Sequence, residues 1–138
     1  MGDPDLTVEP ALSDDLREWL VSELRYPVLA INTEDGPPSQ SVMWFDLDRD
    51  DPDVILMNTK VARLKYRQLQ RDPRVSVLFE DGLEWFAMRG TVTLDATFEP
   101  ALDHIQALAR RYGGDPSRFD GQQRVIIRIR VEKVIRHD

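Results

Sequence analysis

Apolar residues in this chain recur mostly at every second position, in short runs separated by breaks rich in Pro, Gly and Asp. Only a few stretches show helical spacing. Ser13 is placed to cap a helix, Asp14 and Asp15 fall in its first turn, and Leu16, Trp19, Leu20 and Leu24 share one face. Acids suit that turn because the free amides and dipole of a helix start favour negative charge. The spacing predicts a helix ending near Arg25, before Tyr26-Pro27. Residues 1–12, polar and containing two prolines, are expected to be extended or mobile.

Strands dominate the chain after Pro27. Val28 to Ile31 forms an apolar run closed by the turn signal Glu34-Asp35-Gly36-Pro37-Pro38. Gln40 to Leu47 reads as one strand, with Val42 and Trp44 on one face and Met43, Phe45 and Leu47 on the other. Val54 to Thr59 reads as a third strand, residues 61–70 as a short helix stopped by Asp72-Pro73, and Val75 to Phe79 as a fourth strand. Asp81-Gly82 turns into a long fifth strand, Glu84 to Leu94, in which Gly90 marks a bulge or tight bend. Glu99-Pro100 opens a helix that gathers Leu102, Ile105, Leu108, Ala109 and Tyr112 on one face and ends at Gly113-Gly114. Arg124 to Val131 alternates, with Val125, Ile127, Ile129 and Val131 inward and Arg124, Arg128 and Arg130 outward. Most connections are too short for parallel crossovers, so a Rossmann-type sheet is disfavoured. The expected fold is mainly β within the α+β class: a six-stranded antiparallel barrel of Greek-key type with short peripheral helices.

Composition narrows the chemistry. A chain of 138 residues, 41% hydrophobic and 31% charged, fits a single globular domain, taken as residues 13–138. It contains no cysteine, which removes disulfides, thiolate metal sites and cysteine nucleophiles, and its two histidines make a multi-histidine metal centre implausible. No apolar run reaches the ~20 residues that cross a bilayer, and the acidic start resembles no signal peptide. A cytoplasmic protein with no membrane partner is expected.

The net charge of -7 argues against general affinity for nucleic acid. Yet Lys60, Arg63, Lys65, Arg67, Arg71 and Arg74 crowd residues 60–74 against a single acid, Asp72. A strand end with Asn58 and Thr59 feeding a helix whose first turn carries Arg63 and Lys65 suits a phosphate. A solvated basic face that offsets the acidic N-terminus suits the pattern equally. Met43-Trp44-Phe45 offers flat apolar area to a ring system, or else fills core and interface. Phosphate-loop, dinucleotide and nucleophile-elbow motifs are absent from the sequence. His104 and His137 read as surface residues. No self-sufficient acid–base set stands out and no catalytic residue is assigned, so the chemistry is expected to reside in a bound cofactor.

Several motifs together resemble one family. They are Ser41-Val42-Met43-Trp44-Phe45, then Asn58-Thr59 through Arg63-x-Lys65, and Leu69-x-Arg71-Asp72-Pro73-Arg74-Val75. Arg89-Gly90-x-Val92, Arg111-Tyr112-Gly113-Gly114 and the closing Arg124 to Val134 complete the set. The chain resembles the pyridoxamine 5′-phosphate oxidase-like split β-barrel proteins, most closely their actinobacterial branch that uses the deazaflavin coenzyme F420. The resemblance implies a homodimer with cofactor sites across the interface and an oxidoreductase that moves hydride to a small conjugated organic substrate. It places Met43 and Trp44 along the cofactor ring, and Ser41, Asn58, Thr59, Arg63 and Lys65 around ribityl and phosphate groups. It directs Lys60 and Arg67 towards a polyglutamate tail. Ala62 and Gln68 depart from the Gly and Asn common in such relatives. FMN in an oxidase or flavin reductase, and a non-catalytic flavin- or haem-binding module, remain alternative readings.

Overall fold

Alternation of apolar and polar residues gives this chain a sheet with one buried face, and the computed structural model describes that sheet over residues 6–137. The order is β1 (Leu6–Glu9), α1 (Asp14–Val21), β2 (Val28–Ile31), β3 (Ser39–Val42), β4 (Asp46–Leu47), β5 (Val54–Lys60), α2 (Leu64–Arg71), β6 (Arg74–Asp81), β7 (Glu84–Asp95), α3 (Phe98–Arg111) and β8 (Arg124–His137). A 3-10 turn, Pro116–Phe119, precedes β8. The strands form one sheet in the order β3-β2-β6-β7-β8-β5-β4, with β1 added beside β8. The pairings described are all antiparallel. The fold is an antiparallel split β-barrel of the α+β class, as expected. Its eight strands exceed the expected six because β1 pairs with the end of β8 and one expected strand is split in two. The expectations for residues 1–5 and for the side chain of His137 lie outside the described residues.

That split shapes the molecule. Instead of one strand from Gln40 to Leu47, β3 pairs with β2 at one end of the sheet and β4 pairs with β5 at the other. Met43 to Phe45 therefore carries the chain across the gap between the sheet's ends. Its backbone groups find partners outside the ladder. Met43 N–H donates to Pro27 O at 2.9 Å, and Phe45 N–H donates to the Tyr112 hydroxyl at 3.3 Å, which itself donates to Arg25 O at 2.6 Å. The expected facing survives the break, since Met43 and Phe45 are buried while Val42 is exposed.

The inner face holds Leu29, Ile31, Phe45, Ile55, Met57, Val77, Phe79, Ile127 and Ile129, each almost fully excluded from solvent. Helix α1 closes over it with Leu16 and Leu20, and Ser13 Oγ caps the helix by accepting from Leu16 N–H at 3.2 Å. The helix ends at Val21, short of the expected Arg25, so Leu24 leaves the apolar face and stands exposed. Helix α3 buries Ala101, Ile105, Leu108 and Ala109 against the opposite, outer face of β5 and β8. Gly113, at φ +76°, ends that helix in the left-handed region, where an L side chain would be strained.

Gly90 sits at the expected irregularity. Gly90 pairs with Val131 but Arg89 pairs with Lys133, so Glu132 is the extra residue, on β8. The insertion changes the parity of β8, and the inward positions pass from Val131 to Val134. At Gly90 a Cβ would lie 2.1 Å from the Arg130 carbonyl oxygen. Neither strand can yield without disturbing its ladder. Gly90→Ala should therefore cost at least about 3 kcal/mol and lower the thermal midpoint by roughly 10 °C. Gly36→Ala, which meets only the Thr33 hydroxyl at 3.6 Å, should shift the midpoint by less than about 2 °C. Equal midpoints for the two variants would contradict this account of the bulge.

Candidate cofactor site

Alternation along β5 sends Ile55, Met57 and Thr59 to the inner face and Leu56 and Asn58 to the outer face under α3. Asn58 and Thr59 are nearly closed off from solvent, at 6% and 3% exposure. After Lys60 the chain turns, with Arg63 N–H donating to Lys60 O at 3.1 Å, and α2 begins at Leu64. Arg63 stands at the N-cap position without a side-chain capping bond, and in the first turn Tyr66 N–H donates to Arg63 O at 3.1 Å.

Between this strand end and the closing segment lies a cleft of about 380 Å³. Eight of the nine residues proposed from the sequence line it. Ser41, Met43 and Trp44 come from β3 and the closing segment, Asn58, Thr59 and Lys60 from β5, and Arg63 and Lys65 from the start of α2. The ninth, Arg67, lies on a separate groove with Glu34, Asp35 and Arg71.

The cleft also contains residues that the sequence did not suggest. Arg124 was expected to point outward. It does occupy the outer face, but α3 and the 3-10 turn cover that end of β8 and leave it 6% exposed. Its Nε donates to Asn58 Oδ1 at 2.9 Å, its Nη1 donates to Gln122 Oε1 at 3.0 Å, and its guanidinium lies 5.4 Å from the Phe119 ring centre. The register Lys60↔Arg124 explains the placement, because it sets a basic residue of β8 opposite the end of β5. A count of charges along the chain cannot see that pairing. His104, read as a surface residue, is instead largely buried, with an 11% exposed side chain and contacts to Asn58 and Asp46.

The electrostatics of the cleft are one-sided. Lys60, Arg63, Lys65 and Arg124 line it, and no carboxylate does so among the described residues. Burial pushes the Lys65 ammonium below its ordinary pKa, and the neighbouring charges of Arg63 and Arg124 add to that. Burial, with a smaller contribution from Arg63, lowers Arg124 to about 10. Lys65 Nζ has a soft neighbour, Met43 Sδ at 3.4 Å. Depressed basicity at both groups follows from burial first and from neighbouring like charge second. An anion entering the cleft would reverse each of these penalties.

Trp44 and Phe119 add aromatic surface to the cleft. Trp44 stacks on Tyr112 with ring centres 5.2 Å apart and planes 9° from parallel, and meets Phe119 edge-on at 6.3 Å. Gly114 lies beside this ring, and a Cβ there would stand in van der Waals contact with Trp44 Cη2 at 3.4 Å. A flat wall beside a cationic end suits a ligand with an extended ring and a negatively charged tail.

Comparison with known proteins agrees with this fold. The family model described as pyridoxamine 5′-phosphate oxidase matches residues 12–138. A solved structure named F420 reductase is 28% identical, with a TM-score of 0.69 over 83% of this chain and 91% of that one. A conserved hypothetical protein of Mycobacterium tuberculosis is 24% identical, with a TM-score of 0.76 over 100% of this chain and 89% of that one. A FAD-binding protein of Mesorhizobium loti, 16% identical, shares the fold at a TM-score of 0.60 over 96% of this chain and 98% of its own.

The uncompensated charge has a measurable consequence. Because the folded state depresses the Lys65 pKa, its charge opposes folding below that pKa, and the opposition fades as pH rises towards 10.5. Lys65→Met should raise the thermal midpoint near neutral pH in phosphate-free buffer. Inorganic phosphate should raise the midpoint of the unaltered protein through mass action, and Lys65→Met should lose most of that increment. A phosphate increment of equal size in both proteins would show that the cleft is not where the anion acts.

Proposed function

The chain belongs to the pyridoxamine 5′-phosphate oxidase family, and from that premise we propose that it is an oxidoreductase binding coenzyme F420 in the cleft between β3, β5 and α2. The reaction in this reading is hydride transfer to a small conjugated organic molecule in the cytoplasm. The observation that carries it is the meeting of the cationic cluster with the Trp44 wall in one cleft. The 28% identical structure named F420 reductase supports the deazaflavin over FMN. Both carry a ribityl phosphate, so the cluster alone suits either.

In this reading Arg63, Lys65 and Arg124 hold the phosphate, with Asn58 and Thr59 supplying polar groups beside it. Ser41 and Lys60 border the ribityl and tail portions, and Met43 and Trp44 lie along the ring. The cofactor supplies the hydride chemistry. The chain's part is to orient the ring, exclude water along its aromatic wall and neutralise the charged tail. Arg67 is left out, because its groove also presents Glu34 and Asp35.

The same reading makes the protein a homodimer. The register aligns Val42, Val28, Leu78, Ala87, Ile135 and Val8 in one apolar row across the outer face of six strands. Val42, Leu78 and Val8 in that row are exposed at 66%, 40% and 58%. The row ends at Val42, which also lines the cleft, so a second copy seated on it would stand beside the cofactor.

Parallel titration of dialysed protein with coenzyme F420 and FMN, followed by tryptophan quenching, tests the proposal. Binding of F420 in the micromolar range, at least tenfold tighter than FMN, is expected, in a species sedimenting at twice the chain mass. Arg63→Ala should weaken that binding by roughly tenfold, the loss of one charge-assisted contact. Tighter binding of FMN would move the protein to the oxidase reading, and binding of neither would refute the proposal.

A further inference from the structure

Behind Arg124 runs a chain of polar contacts that extends beyond the proposed cofactor site. Asn58 Oδ1 accepts from Arg124 Nε at 2.9 Å, while Asn58 Nδ2 lies 3.0 Å from Ala101 O and 3.1 Å from His104 Nδ1. His104 Nε2 lies 3.2 Å from Asp46 Oδ1. Four elements meet in this chain, since Asp46 lies on β4, Asn58 on β5, His104 on α3 and Arg124 on β8.

Donor and acceptor capacities leave one consistent assignment. A guanidinium can only donate, so the group facing Arg124 must be the amide oxygen of Asn58. The Asn58 amide nitrogen then points to two acceptors, the Ala101 carbonyl and His104 Nδ1. An accepting Nδ1 requires the imidazole to be neutral with its proton on Nε2, and that proton faces the Asp46 carboxylate. All the groups are satisfied in this state. A proton added at Nδ1 would set two donors against each other at 3.1 Å. The amide of Asn58 can relieve that only by turning over, which presents N–H groups to Arg124 and removes its acceptor.

We propose that His104 is a positioning residue for the anion site: through Asn58 it directs the Arg124 guanidinium into the cleft, and its protonation releases that direction. The inference rests on reading the cleft as a phosphate site. The charged neighbours are accounted for on each element packed nearby. Asp46 on β4 faces Nε2 and compensates an added proton, and Arg124 on β8 is reached through Asn58. Arg128 on β8 is held by Asp48 at 2.6 Å, and Asp103 on α3 is exposed. The sign is distinctive. General electrostatics tightens anion binding as a protein gains positive charge on acidification, whereas release of Arg124 loosens it.

Calorimetric titration of the intact protein with sodium sulfate, a dianion throughout, separates the two effects across the range in which imidazoles titrate, about pH 8 to about pH 5. The unaltered protein should lose roughly tenfold in sulfate affinity on acidification, the scale of one hydrogen bond to a charged group. His104→Asn offers an amide oxygen near the position of Nδ1 and does not titrate. Its affinity should match that of the unaltered protein at the higher pH and hold or tighten as pH falls. His104→Leu, with no acceptor, should bind weakly at both. The same pH dependence in the unaltered protein and His104→Asn would overturn the inference while leaving the phosphate reading intact. Failure of the unaltered protein to bind sulfate at either pH would overturn both.

Discussion

Arg63, Lys65 and Arg124 converge on one cleft with no carboxylate lining it among the described residues, and that convergence sets the terms for the surrounding structure. Bringing cations together while removing them from water opposes folding, as the lowered basicity of Lys65 and Arg124 records. A protein of net charge -7 has acids available to quench such a cluster, and it uses them elsewhere. Asp48 holds Arg128, Asp51 holds Arg130 and Asp72 holds Arg74. Ion pairs thus surround the sheet while the cleft is left with charge of one sign. That division is what a site for an anionic group requires, because the ligand then supplies the missing charge.

The barrel's topology creates the place for the cluster. Because β3 and β4 belong to opposite ends of the sheet, the chain must cross the gap between them, and it does so with Met43, Trp44 and Phe45. Tyr112 serves this crossing twice: its hydroxyl partners the Phe45 amide, and its ring stacks on Trp44. Burial pushes its phenol above the ordinary pKa, so it stays a neutral donor. Helix α3 therefore does more than cover β5 and β8. Its C-terminal end sets the aromatic wall, and His104 on the same helix sets the Asn58 amide that faces Arg124.

Much of this was legible in the sequence where the governing interaction is local or periodic. Alternation located β5 to β8, Asp81-Gly82 and Gly113-Gly114 marked turns that the structure builds with glycines at positive φ, and Gly90 marked the bulge. Eight cleft residues were found because they lie in two short segments, around Met43 and around Thr59. What escaped depends on register or on coverage from another element. Arg124 was placed on the correct face, yet its burial is decided by α3 and residues 116–122, which no periodicity in β8 records. Nor does the run from Gln40 to Leu47 show where a strand must change partners. His104 lost its surface reading because Asp46 and Asn58 approach it from strands 58 and 46 residues away in sequence. Arg67 shares the basic island, but two positions after Lys65 it lies on another face of α2, in the groove with Glu34 and Asp35.

A crystal structure of the protein grown with coenzyme F420 or FMN would test the central claim most directly, because the phosphate position is then seen. The account predicts phosphate oxygens within hydrogen-bond reach of Lys65 Nζ and the Arg124 guanidinium, with the ring against Trp44. A phosphate seated instead in the outer groove lined by Arg74, Arg89 and Lys133 would contradict it.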